Sequence, residues 1–213
     1  MIVKVLPVGP LRCNCVILGD PESHAAIVVD PGDEVDVVLD VLQRADLRCS
    51  LILNTHTHLD HVGGNHALRE ATGARLMLHE ADLPLYDNLR LQAEWMGDPS
   101  AVPARCPVDQ QVHQGDRIGE GVLAAEVLHT PGHTPGSLCL HLDQPAPLLL
   151  SGDTLFAGSI GRTDLWGGSH QQEIESIRKR LLCLDDRTRV IPGHGPETTI
   201  GRERRSNPFL AGL

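Results

Sequence analysis

"THTHLDH", residues 55–61, follows directly on the apolar run "SLILN", residues 50–54, and places three histidines and one aspartate within seven positions. A short run of this kind reads as a strand that delivers ligand-type side chains into the loop behind it. The same ending recurs three times downstream: "AAEVLHTPG" runs into His133, "PLLLSG" into Asp153 and "RVIPG" into His194. One such ending is weak evidence. Four, well separated in sequence, are hard to explain by packing alone.

Around these endings, strand-like runs alternate with turn signals and helical spacing. "IVKVLPV", "CVILGD", "AAIVVDPGD" and "SLILNT" read as strands, and "EVDVVLDVLQRAD" as a helix with Gly32-Asp33 ahead of it as a start signal. "HVGGNHALREATGA" reads as a helix stopped by Gly73, then "RLMLH" as a strand and "EADLPLYDNLRLQAEW" as a helix. "MGDPSAVPARCPVDQ" is rich in proline and small residues and reads as a crossing loop. The second half repeats the theme with "VLAAEVLHT", "SLCLHLD" and "PLLLSGD". A helix, "HQQEIESIRKRLLCL", follows, with Ile174, Ile177, Leu181 and Leu184 on one face, then "TRVIPGHG" and a last short helix in the tail. No low-complexity linker divides residues 1–213, so one domain of two sheets packed together with helices outside is expected.

Composition sets bounds on function. The 213 residues are 41% hydrophobic and 22% charged, ordinary for a globular protein, but only 2% aromatic, so aliphatic side chains must build the core. The formal charge of −10 repels phosphate backbones and argues against nucleic acid. No apolar stretch is long enough to span a bilayer and "MIVKVLPVGP" lacks the features of a signal peptide, so a cytoplasmic protein without membrane partners is expected. The six cysteines are scattered without CxxC spacing and read as free thiols, "RCNC" included.

The chemistry of the strand endings points to metal. Imidazole and carboxylate suit zinc, iron or manganese, and the absence of cysteine from the set argues against a structural zinc site. Residues two apart in an extended segment point the same way, so His56 and His58 suit one ion. Asp60 and His61 are adjacent and aim differently, toward a second ion. Seven ligands exceed what one ion with bound water needs, so two divalent ions are expected, zinc first, with iron or manganese accommodated. Two ions roughly 3.5–4 Å apart can share a hydroxide, because metal binding lowers the pKa of water to about 7. With two carboxylates the centre keeps one residual positive charge, which favours a developing oxyanion or a departing thiolate.

"THTHLDH", "HTPGHTPGS", "LLLSGDTLF" and "IPGHG", in this order, resemble the metallo-β-lactamase superfamily over nearly the whole chain. The resemblance implies an α/β fold, an αββα sandwich of two mixed β-sheets with helices on the outer faces and the metals at one edge. Carried over by position, it implies His56, His58 and His133 at the first metal, Asp60, His61 and His194 at the second, and Asp153 bridging. Asp153 stands where the antibiotic-degrading zinc enzymes place cysteine or serine, which disfavours lactam hydrolysis, and His58 stands where flavodiiron relatives carry Glu.

The chain looks most like the glyoxalase II group, the hydroxyacylglutathione hydrolases, in their short bacterial form, on "DTLFAGSIGRTD" and "NPFL". That implies hydrolysis of a glutathione thioester, with Asp60 orienting or deprotonating the water, in a monomer or homodimer. The separate C-terminal helical region that contacts glutathione in full-length members is not expected in this chain, and their lysine and tyrosine appear as Arg162 and Asp164. Arg162 either clamps a substrate carboxylate or pairs with Asp164. "GRTD" also occurs in persulfide dioxygenases, which would use one iron on His56, His133 and Asp153, and a lactonase or other esterase on the same metals stays open. His66 and His79 read as helix-face or capping residues, His129 as a loop hydrogen-bonder, Trp166 as a substrate wall, and Arg202, Arg204 and Arg205 as a solvated face.

Overall fold

The computed structural model describes residues 1–95, 97, 99 and 102–212, so the expected crossing loop falls partly outside the described residues, at Met96, Asp98, Ser100 and Ala101. The chain forms two compact units, Met1–Gln111 and Val112–Leu213. In the first, strands β1 (Ile2–Val8), β2 (Cys13–Gly19), β3 (Ala25–Val29), β4 (Arg48–Leu53), β5 (Arg75–Leu78) and β6 (Gln110–Gln111) form one sheet in that order. The pairings β1–β2 and β2–β3 are antiparallel, and from β3 to β6 the strands run parallel. Parallel neighbours need a crossover, and helix α1 (Val35–Arg44) supplies it between β3 and β4.

Helix α1 carries the expected apolar face, with Val38 and Leu42 buried against Ile17, Val28, Ile52 and Leu76. Its start differs from expectation. Asp33 Oδ1 accepts the Glu34 N–H at 2.7 Å, and Glu34 itself takes φ 50° before the helix begins at Val35. The expected helix over 61–74 is two pieces, α2 (Leu59–Val62) and α3 (Asn65–Thr72). Gly63 and Gly64 separate them because the chain passes against the 31–32 turn: an added Cβ would lie 2.4 Å from the Gly32 carbonyl oxygen and 2.8 Å from that of Pro31. Gly73, at φ 71°, stops α3 as expected. Helices α4 (Leu83–Tyr86) and α5 (Leu89–Trp95) replace the single helix expected over 80–95.

The second unit has its own six-stranded sheet. Strands β7 (Arg117–Ile118), β8 (Ala125–His129), β9 (Leu138–Leu142) and β10 (Leu148–Gly152) run antiparallel, and β10 pairs in parallel with β13 (Arg189–Pro192), which pairs with β14 (Thr198–Thr199). A hairpin of β11 (Leu155–Phe156) and β12 (Ser159–Ile160) follows β10. Helix α6 (His170–Ser176), extended by one π turn over Ile177–Leu181, makes the crossover to β13, and α7 (Ile200–Ser206) is followed by a 3-10 turn over Pro208–Leu210. Ile177 and Leu181 are fully buried, with Ile174 and Leu184 packed partly against the same cluster, as the sequence spacing predicts. The α/β class with two mixed sheets is borne out. The two-residue pairings at β6, β7, β14 and the hairpin are too short to carry any sequence period.

Candidate metal centre

Every ligand-type ending lies where a strand stops. In the first unit β4 ends at Leu53 and the chain turns through His56 and His58 into α2, which carries Asp60 and His61. Three imidazoles gather there, His56 lying 4.8 Å from His58 and 4.0 Å from His61 between ring centroids. Asp60 Oδ2 lies 3.7 Å from His61 Nε2, near enough for the adjacent pair to face one ion. In the second unit His133 follows β8, Asp153 follows β10 directly and His194 follows β13. Asp153 Oδ2 stands between the two imidazoles, 3.6 Å from His133 Nε2 and 3.8 Å from His194 Nε2.

These separations fit a donor set for a cation. They are too long for hydrogen bonds, whereas two ligands each about 2.1 Å from one tetrahedral ion stand roughly 3.4 Å apart. The tautomers fit as well. His61 Nδ1 lies 3.0 Å from Asp30 Oδ2, and His133 Nδ1 lies 2.7 Å from the Arg162 carbonyl oxygen. Both partners only accept, so Nδ1 carries the proton and Nε2 keeps its lone pair for a metal. Thr55 Oγ1 donates to Asp30 at 2.6 Å, which leaves it to accept from His56 Nδ1 at 3.1 Å.

Asp30 therefore steadies two imidazoles at once, one directly and one through Thr55. It is 2% exposed, sits at the end of β3 and holds φ 52°, a strained backbone for a non-glycine residue. Its signal was present in the sequence, since "AAIVVDPGD" ends on a carboxylate just as the ligand strands do. Asn54 Nδ2 donates to the His61 carbonyl oxygen at 3.2 Å, and its amide pairs with that of Asn65. Cys13 Sγ lies 3.5 Å from His61 Nδ1, and burial pushes its thiol up to about 12, so it stays a packed thiol. Among the cysteines only Cys183 is exposed, and all six are free.

In the second unit the Glu173 carboxylate backs His133. Its Oε2 accepts the His133 N–H at 2.8 Å, and burial, with Asp153 adding to it, pushes its carboxyl up to about 8. Gly132, at φ 152°, admits this helix: a Cβ there would lie 2.3 Å from the Glu173 Cα. Glu173 shares a stripe with Ile177 and Leu181, and a charge on an apolar stripe was the sequence signal for it.

Arg162 does not reach outward as a free clamp. Its Nε and Nη2 donate to both Asp164 carboxylate oxygens at 2.8 and 2.9 Å, an exposed bidentate pair. That pairing holds Asp164 below the usual carboxylate range. His79 Nδ1 caps the following turn by accepting from Ala81 N–H, and His129 Nε2 donates to the Pro135 carbonyl oxygen at 2.9 Å, as expected. Trp166 is 44% exposed two residues beyond Asp164.

Among the described residues no helix is long and apolar enough to cross a membrane. The hydroxyacylglutathione hydrolase GloC of Haemophilus influenzae is 38% identical over 211 residues, covering 99% of this chain and 98% of its own. Three solved structures share the fold. The BLEG-1 B3 metallo-beta-lactamase superposes with TM-score 0.91 at 37% identity, covering 99% of this chain and 100% of its own. TTHA1623 in a di-iron-bound form gives 0.88 at 40% identity, with 98% and 100% covered. ETHE1 from Myxococcus xanthus gives 0.82 at 31% identity, with 100% and 85% covered. The superfamily's sequence signature matches residues 8–194, from the end of β1 to the last ligand-type histidine. On that match, on the two mixed sheets and on these relatives, the chain belongs to the metallo-beta-lactamase superfamily.

Proposed function

We propose that His56, His58, Asp60, His61, His133, Asp153 and His194 serve one dinuclear centre, and that the chain hydrolyses a glutathione thioester such as S-lactoylglutathione to D-lactate and glutathione. The observation that carries the two-metal count is the place of Asp153 Oδ2, within 3.8 Å of imidazoles on both sides, as suits a ligand shared by two ions. The di-iron form of TTHA1623 supports the same count. The name of GloC supports the acyl substrate.

Bound there, divalent ions would supply a water of lowered pKa and a polarised thioester carbonyl. The chain's own part is to orient and to move the proton. Asp60 orients the attacking water and takes its proton at a carboxylate oxygen. Asp30 and the Arg162 carbonyl hold the His61 and His133 rings with Nε2 inward. Hydrolysis leaves a carboxylic acid and a thiol, and needs no oxidant.

Oxidation of glutathione persulfide on a single iron is the second reading, supported by the likeness to ETHE1 and by "GRTD". Zinc, iron or manganese, a cytoplasmic setting, and a monomer or homodimer without nucleic-acid partners complete the proposal. Metal analysis of the purified chain, an S-lactoylglutathione assay and an oxygen-electrode trace with glutathione persulfide test it together. Two metals with thioester turnover are expected. One iron with oxygen uptake overturns it, as does turnover of a cephalosporin, included because of the BLEG-1 likeness, without thioester turnover.

A further inference from the structure

His58 sits between two peptide groups that a single distant side chain holds. Gln92, on α5 and only 5% exposed, accepts the Leu59 N–H at Oε1 at 3.0 Å and donates from Nε2 to the Thr57 carbonyl oxygen at 3.0 Å. Those are the peptide groups immediately after and immediately before His58. A third bond, from Nε2 to the Leu85 carbonyl oxygen at 2.9 Å, anchors the amide to the end of α4. Asp82 Oδ2 accepts the Thr57 N–H at 3.0 Å from the same segment. The extended conformation of His58, φ −66° and ψ 150°, is thus fixed from both ends, at the residue that starts α2.

We propose that Gln92 is a positioning residue for the metal centre, setting the His58 imidazole and the first turn of α2 that carries Asp60. This rests on the dinuclear reading above. A primary amide is required, because the site needs one acceptor and two donors on one flat group, and no other side chain of that length offers both. His56 and His61 are steadied from the other side by Asp30 and Thr55, so the loss of Gln92 falls selectively on the His58 end of the site.

The test uses Gln92→Met, similar in length but without the polar groups, and Gln92→Glu, which keeps an acceptor for the Leu59 N–H and loses both donors. A third variant, Leu42→Ala, destabilises the same unit through a cavity on α1. Each metal-free protein is titrated with cobalt(II), read by visible absorption and by stoichiometry, and its urea midpoint is measured alongside. Wild type is expected to take two cobalt ions. Gln92→Met is expected to bind one of them at least tenfold more weakly with an altered spectrum, and Gln92→Glu to fall between. Leu42→Ala is expected to keep wild-type affinity despite a lower urea midpoint. Unchanged cobalt binding in both Gln92 variants overturns the inference, as does an equal loss in Leu42→Ala. If Gln92→Met does not fold, Gln92→Glu decides by the same criterion. Wild type that takes up no cobalt, or a single ion, overturns the dinuclear reading itself, a different outcome from either.

Discussion

The proposed reaction asks Asp60 to be both ligand and proton acceptor; its Oδ2 lies 3.7 Å from His61 Nε2 and its side chain is 18% exposed. Asp60→Asn keeps the shape and removes the charge, so turnover should fall by about 10²–10⁴, the range for a lost general base. Cobalt stoichiometry and thioester kcat measured on the same sample check this, and near-normal kcat removes the role. Arg162 and Asp164 pose a different question, because the guanidinium that would clamp a substrate carboxylate is already paired within its own loop. If glutathione binds through Arg162, it must displace Asp164, and Asp164→Ala should lower KM for the thioester several-fold while Arg162→Ala raises it. With kcat unchanged in both, the effect is on binding shared by ground and transition states. A KM that moves in neither variant takes Arg162 out of the substrate site.

At the scale of elements, the short strand β6 is held to β5 by one ionic bracket. Arg69 on α3 donates to Asp109 and to the Pro107 carbonyl oxygen, and Asp109 in turn accepts the Leu76 N–H of β5 at 2.7 Å. The guanidinium beside it, and then the Leu76 bond, hold the Asp109 carboxyl below its ordinary value. A carboxyl whose folded pKa is depressed contributes stability above its unfolded pKa, about 3.9, and loses it as pH falls through the folded value. Asp109→Asn should therefore cost about 1 kcal/mol at pH 7, the scale of a partly exposed ion pair. The difference from wild type should vanish on the acid side of the folded pKa. Urea midpoints of both proteins at pH 7 and pH 2 decide it, and a gap of equal size at both pH values is the contrary result. Elements of this kind also mark where the sequence ran out. The ligand strands were legible because each couples a buried apolar run to a polar ending. Gln92 and Asp82 were not recoverable as parts of the site, since their partners lie 33 and 25 positions away and no local period encodes such a meeting. The break between α2 and α3 was hidden for a similar reason, being forced by the 31–32 turn that folds against Gly63 and Gly64.

For the molecule as a whole, the balance of charge and burial ties stability to metal. The chain carries a formal charge of −10, and within it His56, His61 and His133 are buried with Nδ1 held by Thr55, Asp30 and the Arg162 carbonyl oxygen. A donor set of this kind is assembled only in the folded chain, so the ions proposed here would bind the folded state alone and add to its stability. An ion that binds the folded but not the unfolded chain adds about 4 kcal/mol when present at a thousandfold over its Kd. For a chain of this size each kcal/mol moves Tm by roughly 2–4 °C. One ion should therefore raise Tm by about 8–16 °C, and chelation should reverse it. Thermal unfolding of protein as purified, after chelator and dialysis, and after zinc is restored measures both steps. The zinc-restored sample should also show a Tm that climbs with free zinc, because stabilisation by mass action depends on ligand concentration. A Tm indifferent to chelator and to added zinc would mean that these imidazoles fold without a cation, and the hydrolytic reading would go with it.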